Sequence, residues 1–220
     1  MRSKDQKATY PAKILIIGED SNLQWTDTAT EYAMFADYYF RPFPEDHGER
    51  SRNVEAQNLY HHILFLTNDL FKPEEMYVTN LCNDYVLPPA KGKRVLIQEE
   101  KAVKGLAHIK WILEENPSIK YIFAMSLQTN YWLQKLGFYG GDETFLHGAQ
   151  PRRVGLECIE PFYQPVDGKS LRTIIGQVYS TSVPDVKVIP ILPAKDFPLR
   201  DKNEELFREA YTKIRTIFSN

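Results

Sequence analysis

Residues 13–18 read KILIIG, a short β-branched run that ends in glycine. Such a run is typical of a fully buried parallel strand that leads into a tight loop. Three similar runs follow, reading MYVTNL, YIFAMS and VKVIPIL. The sequence therefore predicts four central strands, at residues 14–17, 76–80, 121–125 and 186–191.

Stretches with helical periodicity lie between these runs. Residues 99–115, for example, place Ala102, Leu106, Ile109 and Leu113 on one face of a helix. The predicted helices are residues 54–66, 99–115, 130–136 and 203–218. Strands that alternate with helices predict an α/β fold of three layers, α/β/α, with a four-stranded and mainly parallel central sheet. In such a fold, a ligand binds beyond the carboxyl ends of the strands.

One region interrupts this alternation. Residues 137–184 contain paired glycines, scattered prolines and two partly alternating runs, at residues 154–159 and 171–180. We expect an inserted hairpin there.

Composition sets limits on the class of protein. The 220 residues are 43% hydrophobic, which is enough for one core, so residues 1–220 are predicted to form a single domain. Two cysteines, Cys82 and Cys158, cannot build a disulfide framework or a four-thiolate iron–sulfur site, and both are predicted to be buried thiols. No signal peptide or membrane span is recognisable, which predicts a cytoplasmic protein without a membrane partner.

The loops after the predicted strands carry motifs in a particular order. Residues 18–22 read GEDSN after the first strand, residues 77–81 read YVTNL at the second, and residues 192–200 read LPAKDFPLR after the fourth. In this order, over residues 14–217, the motifs resemble those of the uracil-DNA glycosylase superfamily. The last motif of that superfamily begins with His-Pro-Ser or His-Pro-Ala. Here Leu192 stands in the place of the histidine.

The resemblance implies roles for the first two motifs. Asp20 matches an acid that positions the attacking water, and Glu19 is a second candidate for that role. Asn80 matches an amide that reads the Watson–Crick edge of a flipped pyrimidine, and Asn22 is a further base-binding candidate. Phe43 is the best candidate for the ring that stacks on the base. The simpler alternatives remain open: Asp20 as a cap, Asn80 as a tie between loops, and Phe43 as a core residue.

The altered last motif consists of Leu192, Pro193 and Ala194. The histidine of the family stabilises negative charge on the departing base, and Leu192 cannot donate a hydrogen bond. Loss of one such donor typically costs about 10²–10³ in rate, so efficient uracil excision is not expected. His147 and Lys195 are the candidate replacements for this donor. Three other histidines lie in predicted helices and are expected to be structural or solvated: His61, His62 and His108.

The motifs and the net charge together suggest a partner. Leu199 and Arg200 match a Leu-Arg pair that contacts DNA in some branches of the superfamily. The net charge of −2 gives no overall attraction to a polyanion. DNA binding is therefore predicted to be weak and strongly salt-dependent.

Three functions follow from these observations. The first is recognition of a flipped or damaged base in DNA, with weak or lost hydrolysis of the N-glycosidic bond. The second is a non-catalytic module on the same fold that binds a nucleotide, a nucleic acid or a protein. The third is an esterase, because residues 18–21 (GEDS) resemble the Gly-Asp-Ser block of the SGNH esterases, but no histidine follows His147 to activate Ser21. No cofactor, metal ion or iron–sulfur cluster is predicted.

Overall fold

A mixed five-stranded sheet forms the middle layer of the fold. The computed structural model describes residues 3–20, 31–84, 97–140, 150–154, 158–164, 174–194 and 202–219, with only the backbone at 19–20, 150–154, 158–164 and 202–206. The strands in chain order are β1 (Ile14–Asp20), β2 (Met76–Cys82), β3 (Tyr121–Met125), β4 (Gln150–Val154), β5 (Cys158–Gln164), β6 (Tyr179–Ser180) and β7 (Lys187–Ile191). The main sheet has the order β2-β1-β3-β7-β6, and β4 and β5 form a separate antiparallel pair.

All four predicted strands are present, and they pair in parallel. In register, Gly18 of β1 lies opposite Asn80 of β2, and Met125 of β3 lies opposite Ile191 of β7. The prediction of four strands was incomplete, because β6 adds a fifth strand, antiparallel to β7. A strand of two residues is too short to show an alternating pattern, so the sequence gives no sign of it.

Pro190 lies within β7, although proline cannot donate a hydrogen bond to a neighbouring strand. The proline is tolerated because β6 pairs only with Lys187 and Val188, before Pro190 is reached. The shortness of β6 and the proline in β7 therefore fit one another.

Helices cover both faces of the sheet. The α-helices are α1 (His47–Leu66), α2 (Glu99–Glu115), α3 (Leu127–Lys135) and α4 (Lys202–Ile217), and 3-10 helices occupy Ala33–Phe40 and Pro73–Glu75. One core lies between the sheet and the pair α2 and α3. The other lies between the sheet and α1, α4 and the Ala33–Phe40 helix. No helix in the described part of the chain has the length and apolarity needed to cross a membrane.

Some predicted boundaries differ from those of the structure. Helix α1 begins at His47, seven residues before the predicted start, because Oδ1 of Asp46 accepts hydrogen bonds from the backbone N–H groups of Gly48 and Glu49 and so caps the first turn. The inserted hairpin is β4 and β5, rather than the two runs chosen from the sequence. The second of those runs ends in β6, within the main sheet.

The segment before β1 extends the sheet at its outer edge. Gln6 forms an antiparallel bridge with Val78 of β2, through reciprocal backbone hydrogen bonds of 2.9 Å. The backbone N–H of Ser3 also donates to the carbonyl of Asn83, just after β2. Residues 3–7 therefore lie along the free edge of β2. We call these residues the N-terminal segment.

Candidate functional site

The carboxyl ends of β1 and β2 bring Gly18 and Asn80 into close contact. A Cβ atom added at Gly18 would collide with Oδ1 of Asn80 and would come within 2.6 Å of Sδ of Met34. Only glycine therefore allows the Asn80 amide to lie across β1 at this point. Asn80 itself is buried, with 1% of its surface exposed.

Asp20 and Glu19 are the last two residues of β1. Asp20 is in register with Cys82, two positions beyond the pair formed by Gly18 and Asn80. Two residues along a strand correspond to roughly 7 Å. The backbone of Asp20 therefore lies at the same end of the sheet as Asn80, on the neighbouring strand.

A chain of hydroxyl groups fixes the carbonyl of Gly18. Ser126 caps α3 with a φ of 73°, in the left-handed region that non-glycine residues rarely adopt. Its hydroxyl donates to Oγ1 of Thr129 at 3.1 Å, and Thr129 donates in turn to the Gly18 carbonyl at 3.0 Å. The strained turn after β3 is thus tied to the end of β1.

The Ala33–Phe40 helix covers this end of the sheet. Met34 and Phe35 have φ values of 50° and 55°, so two successive non-glycine residues adopt the left-handed conformation. Met34 places its thioether beside Gly18 and the Asn80 amide. The space above Gly18 is therefore filled by a side chain of the protein itself.

Leu192 and its neighbours lie at the end of β7. Leu192 is buried in the core that faces α1 and α4, and Ala194 packs against the same core, while Pro193 is half-buried. Three strand spacings separate β7 from β2 in the sheet order, which corresponds to about 14 Å. Leu192 and Asn80 are therefore at the same end of the sheet but do not touch.

Phe43 lies in the loop between the Ala33–Phe40 helix and α1. Its side chain is exposed, and the guanidinium of Arg50 lies 5.9 Å from its ring centroid. The proposal that it belongs to the core does not fit this exposure. Its role as a stacking ring stays a prediction.

Several predicted site residues lie outside the described residues. They are Asn22 and Ser21 after β1, His147 in the inserted region, and Lys195, Leu199 and Arg200 after β7. The backbone of Cys158 is described within β5, but its side chain is not. Cys82 is a buried thiol, as predicted.

Sequence reasoning missed a polar cluster on the opposite face of β2. It includes Asp5 and His108, whose carboxylate and imidazole lie 2.7 Å apart. The sequence did contain one signal, because β2 carries a second polar residue, Thr79, next to Asn80, and the structure shows that it is fully buried. His108 was expected to be structural or solvated. Its imidazole is partly buried against the Asp5 carboxylate, so it is not a solvated side chain.

Within the described ranges, no group of three or more histidine, cysteine or acidic side chains is arranged to hold a metal ion. Neither a scan against protein-family models nor a search of the curated proteins finds a match for this chain.

Proposed function

We propose that the chain is a uracil-DNA glycosylase-like protein that recognises a flipped or damaged base in DNA, with weak or lost hydrolysis of the N-glycosidic bond. One observation carries this proposal: the Asn80 amide lies across Gly18, at the carboxyl ends of two adjacent parallel strands. This is the edge of an open α/β sheet where ligands bind. Gly18 and Asn80, which belong to the first two motifs of the resemblance, are paired there.

The chemistry of an amide suits base recognition. The Nδ2 group of Asn80 can donate and Oδ1 can accept, which matches the O4 acceptor and N3–H donor of uracil. Cytosine presents the opposite arrangement on its Watson–Crick edge. Because Asn80 is buried, a mismatched edge would leave polar groups without partners, which makes discrimination stronger than at an exposed site.

Hydrolysis is the weaker half of the proposed activity. Asp20 would orient the water from β1, but stabilisation of the departing base needs a donor or a cation near the end of β7. Leu192 supplies neither. This favours recognition over turnover, and it keeps a purely binding protein on the same fold as the second candidate function.

An excision assay on uracil-containing single-stranded oligonucleotides tests the proposal. We expect the natural protein to release uracil very slowly or not at all, because the leaving group has no stabilising donor from Leu192. Leu192→His is expected to gain measurable excision, and the gain should disappear when Asp20→Asn is added. Leu192→Met serves as the control, because it keeps an apolar side chain of similar volume.

The outcomes of the excision assay separate the two candidate functions. Rapid excision by the natural protein would contradict the role assigned to Leu192 and would direct attention to His147 or Lys195. If no variant excises uracil, the binding function becomes the better description. Loss of the preference for uracil over cytosine in Asn80→Asp, measured by binding, would still support base recognition.

Met34 gives a further prediction for the same site. A base that reaches Asn80 must displace the Met34 side chain, and burial of a methionine is worth about 1.5–3 kcal/mol. Met34→Ala is therefore expected to bind a uracil-containing oligonucleotide about tenfold more tightly. This factor corresponds to about 1.5 kcal/mol, the lower end of the range for the burial of a methionine. Fluorescence anisotropy at fixed low salt measures this change. Met34→Leu keeps the space filled, so equal affinities of the alanine and leucine variants would show that Met34 does not block the site.

A further inference from the structure

A cavity of about 770 Å³ lies between the N-terminal segment and α2, away from the site around Gly18. Its walls include Lys7, Tyr32, Asn83, His108 and Trp111. The volume is within the range of small-molecule sites, about 300–1,000 Å³. The cavity combines a carboxylate–imidazole pair, an exposed indole and lysines in one place.

The carboxylate of Asp5 forms the floor of this arrangement. The hydroxyl of Tyr77 donates to Oδ2 at 3.0 Å, and Oδ1 accepts from the Thr79 hydroxyl at 2.7 Å and from Nδ2 of Asn83 at 2.9 Å. His108 approaches Oδ2 through Nε2 at 2.7 Å. Four partners therefore hydrogen-bond to Asp5, so the carboxylate is a fixed part of the wall.

The contact with Asp5 decides how His108 is oriented. An ionised carboxylate can only accept, so Nε2 of His108 must carry a hydrogen. The second nitrogen, Nδ1, makes no hydrogen bond in the described part of the chain. Asp5 thus holds the ring in place, and in the neutral ring Nδ1 is an acceptor for a donor group of a ligand.

Aromatic surface lies next to this nitrogen. The rings of His108 and Trp111 are stacked, with centroids 5.5 Å apart and planes at 16°. Trp111 remains 45% exposed, which is unusual for so large a side chain. Together with Tyr32 on the cavity wall, it provides a surface on which a planar ring can stack.

The charge in the cavity favours an anion. Lys4 is already paired with Glu31 at 2.8 Å, whereas Lys7 forms no ion pair in the described residues. Asp5 is the only acid among the described residues of the cavity wall, and its two carboxylate oxygens already accept hydrogen bonds from the protein. A ligand that carries a negative group could pair with Lys7.

We propose that this cavity binds a small aromatic anion, whose ring stacks on Trp111 and whose anionic group contacts Lys7. Two sources share this chemistry: a nucleoside monophosphate and an aromatic carboxylic acid. The site is separate from the base-recognition site, because it lies on the opposite face of β2. It does not depend on the function proposed for Asn80.

Isothermal titration calorimetry with the full chain tests the proposal. The probes are adenosine 5′-monophosphate, 4-hydroxybenzoate, adenosine and ribose 5-phosphate. We expect at least one of the two aromatic anions to bind. Adenosine, which lacks the charge, and ribose 5-phosphate, which lacks the aromatic ring, should bind at least about fivefold more weakly. Trp111→Ala and Lys7→Gln should each weaken binding by at least about fivefold, the lower end of the loss expected for one stacked ring.

Matched controls come from the same helix. Val103→Ala and Lys110→Gln change exposed residues of α2 that do not line the cavity. Both should leave the affinity unchanged. If Trp111→Ala fails to fold, Trp111→Phe keeps a ring and should show a smaller loss than removal of the lysine.

The results distinguish the sources of the ligand and can reject the site. Binding of adenosine 5′-monophosphate alone identifies a nucleotide, and binding of 4-hydroxybenzoate alone identifies an aromatic acid. Absence of binding by both overturns the proposal. So does binding that survives Trp111→Ala, or ribose 5-phosphate that binds as tightly as the aromatic anions.

Discussion

Replacement of Gly105 by alanine is expected to destabilise the protein by at least about 2 kcal/mol, although the same change favours an isolated helix. Gly105 lies in α2, where α2 packs on β2. A Cβ atom there would overlap the carbonyl oxygen of Leu81 and would lie 2.9 Å from its carbonyl carbon. The obstacle is backbone in the middle layer, so no change of rotamer can relieve it.

Gly105→Ala has two opposing effects on the free energy of unfolding, one from helix propensity and one from overpacking. Their sizes decide the sign of the change. Alanine gains about 0.8–1.0 kcal/mol over glycine in a helix interior. Overpacking of a filled core costs about 1–3 kcal/mol, and more where backbone must move. The steric cost at Gly105 is therefore larger than the gain in propensity.

Urea unfolding of the natural protein, Gly105→Ala and Gly140→Ala measures this difference. Gly140 is the matched control, because a Cβ atom there would meet nothing within 4 Å. Gly140→Ala should unfold at nearly the same urea concentration as the natural protein. If Gly105→Ala were as stable as Gly140→Ala, α2 could move away from β2 without cost, and the close packing would be unimportant.

The close contact between Gly105 and Leu81 also affects both proposed sites. Leu81 follows Asn80 in β2, and His108 lies one turn of α2 beyond Gly105. A shift of α2 would therefore separate His108 from Asp5 and disturb the strand that carries Asn80. Gly105 sets the distance between these two elements.

The regular elements of the fold were predictable because their signals are local. The strand at Tyr121–Met125 and the helix at Glu99–Glu115 have the predicted boundaries, since each is marked by its own apolar period. The start of α1 was missed because its first turn is polar and depends on the Asp46 cap. Asp46 can be recognised as a cap in the sequence only if the helix is assumed to begin before its first apolar residue.

The candidate sites were predictable to different degrees. Gly18 and Asn80 end neighbouring strands, so a parallel sheet was enough to place them together. The contact between Asp5 and His108 joins residues that are 103 positions apart, and neither lies in a motif. Met34 could not be assigned from the sequence either, because its position depends on two left-handed residues that carry no glycine signal.

His62 is expected to make the protein acid-sensitive, with a loss of about 2 kcal/mol between neutral pH and pH 5 from this side chain alone. His62 is fully buried in α1, and its Nε2 lies 2.7 Å from the hydroxyl of Tyr211 in α4. Burial lowers the pKa of His62 from 6.5 to about 3. The neutral imidazole is therefore the form that the folded protein holds near neutral pH.

The direction of the pH effect follows from the depressed pKa. Below about pH 6.5 the unfolded chain takes up a proton on His62, whereas the folded protein does not until about pH 3. The unfolded state binds more protons in this interval, so stability falls as the pH falls. One proton corresponds to about 1.4 kcal/mol per pH unit, which gives about 2 kcal/mol at pH 5 and about 4 kcal/mol at pH 3.

Urea unfolding at pH 7.5, 6 and 5 isolates this contribution when His62→Gln is compared with the natural protein. Glutamine keeps a hydrogen-bonding group for Tyr211 but does not titrate, so its stability should fall by about 2 kcal/mol less over this range. His61→Gln is the matched control, because His61 is the exposed neighbour on the same helix. Its curve should follow that of the natural protein, since this substitution leaves the buried His62 in place. Parallel curves for all three proteins would mean that His62 is protonated in the folded state, and that α1 and α4 open locally before the protein unfolds.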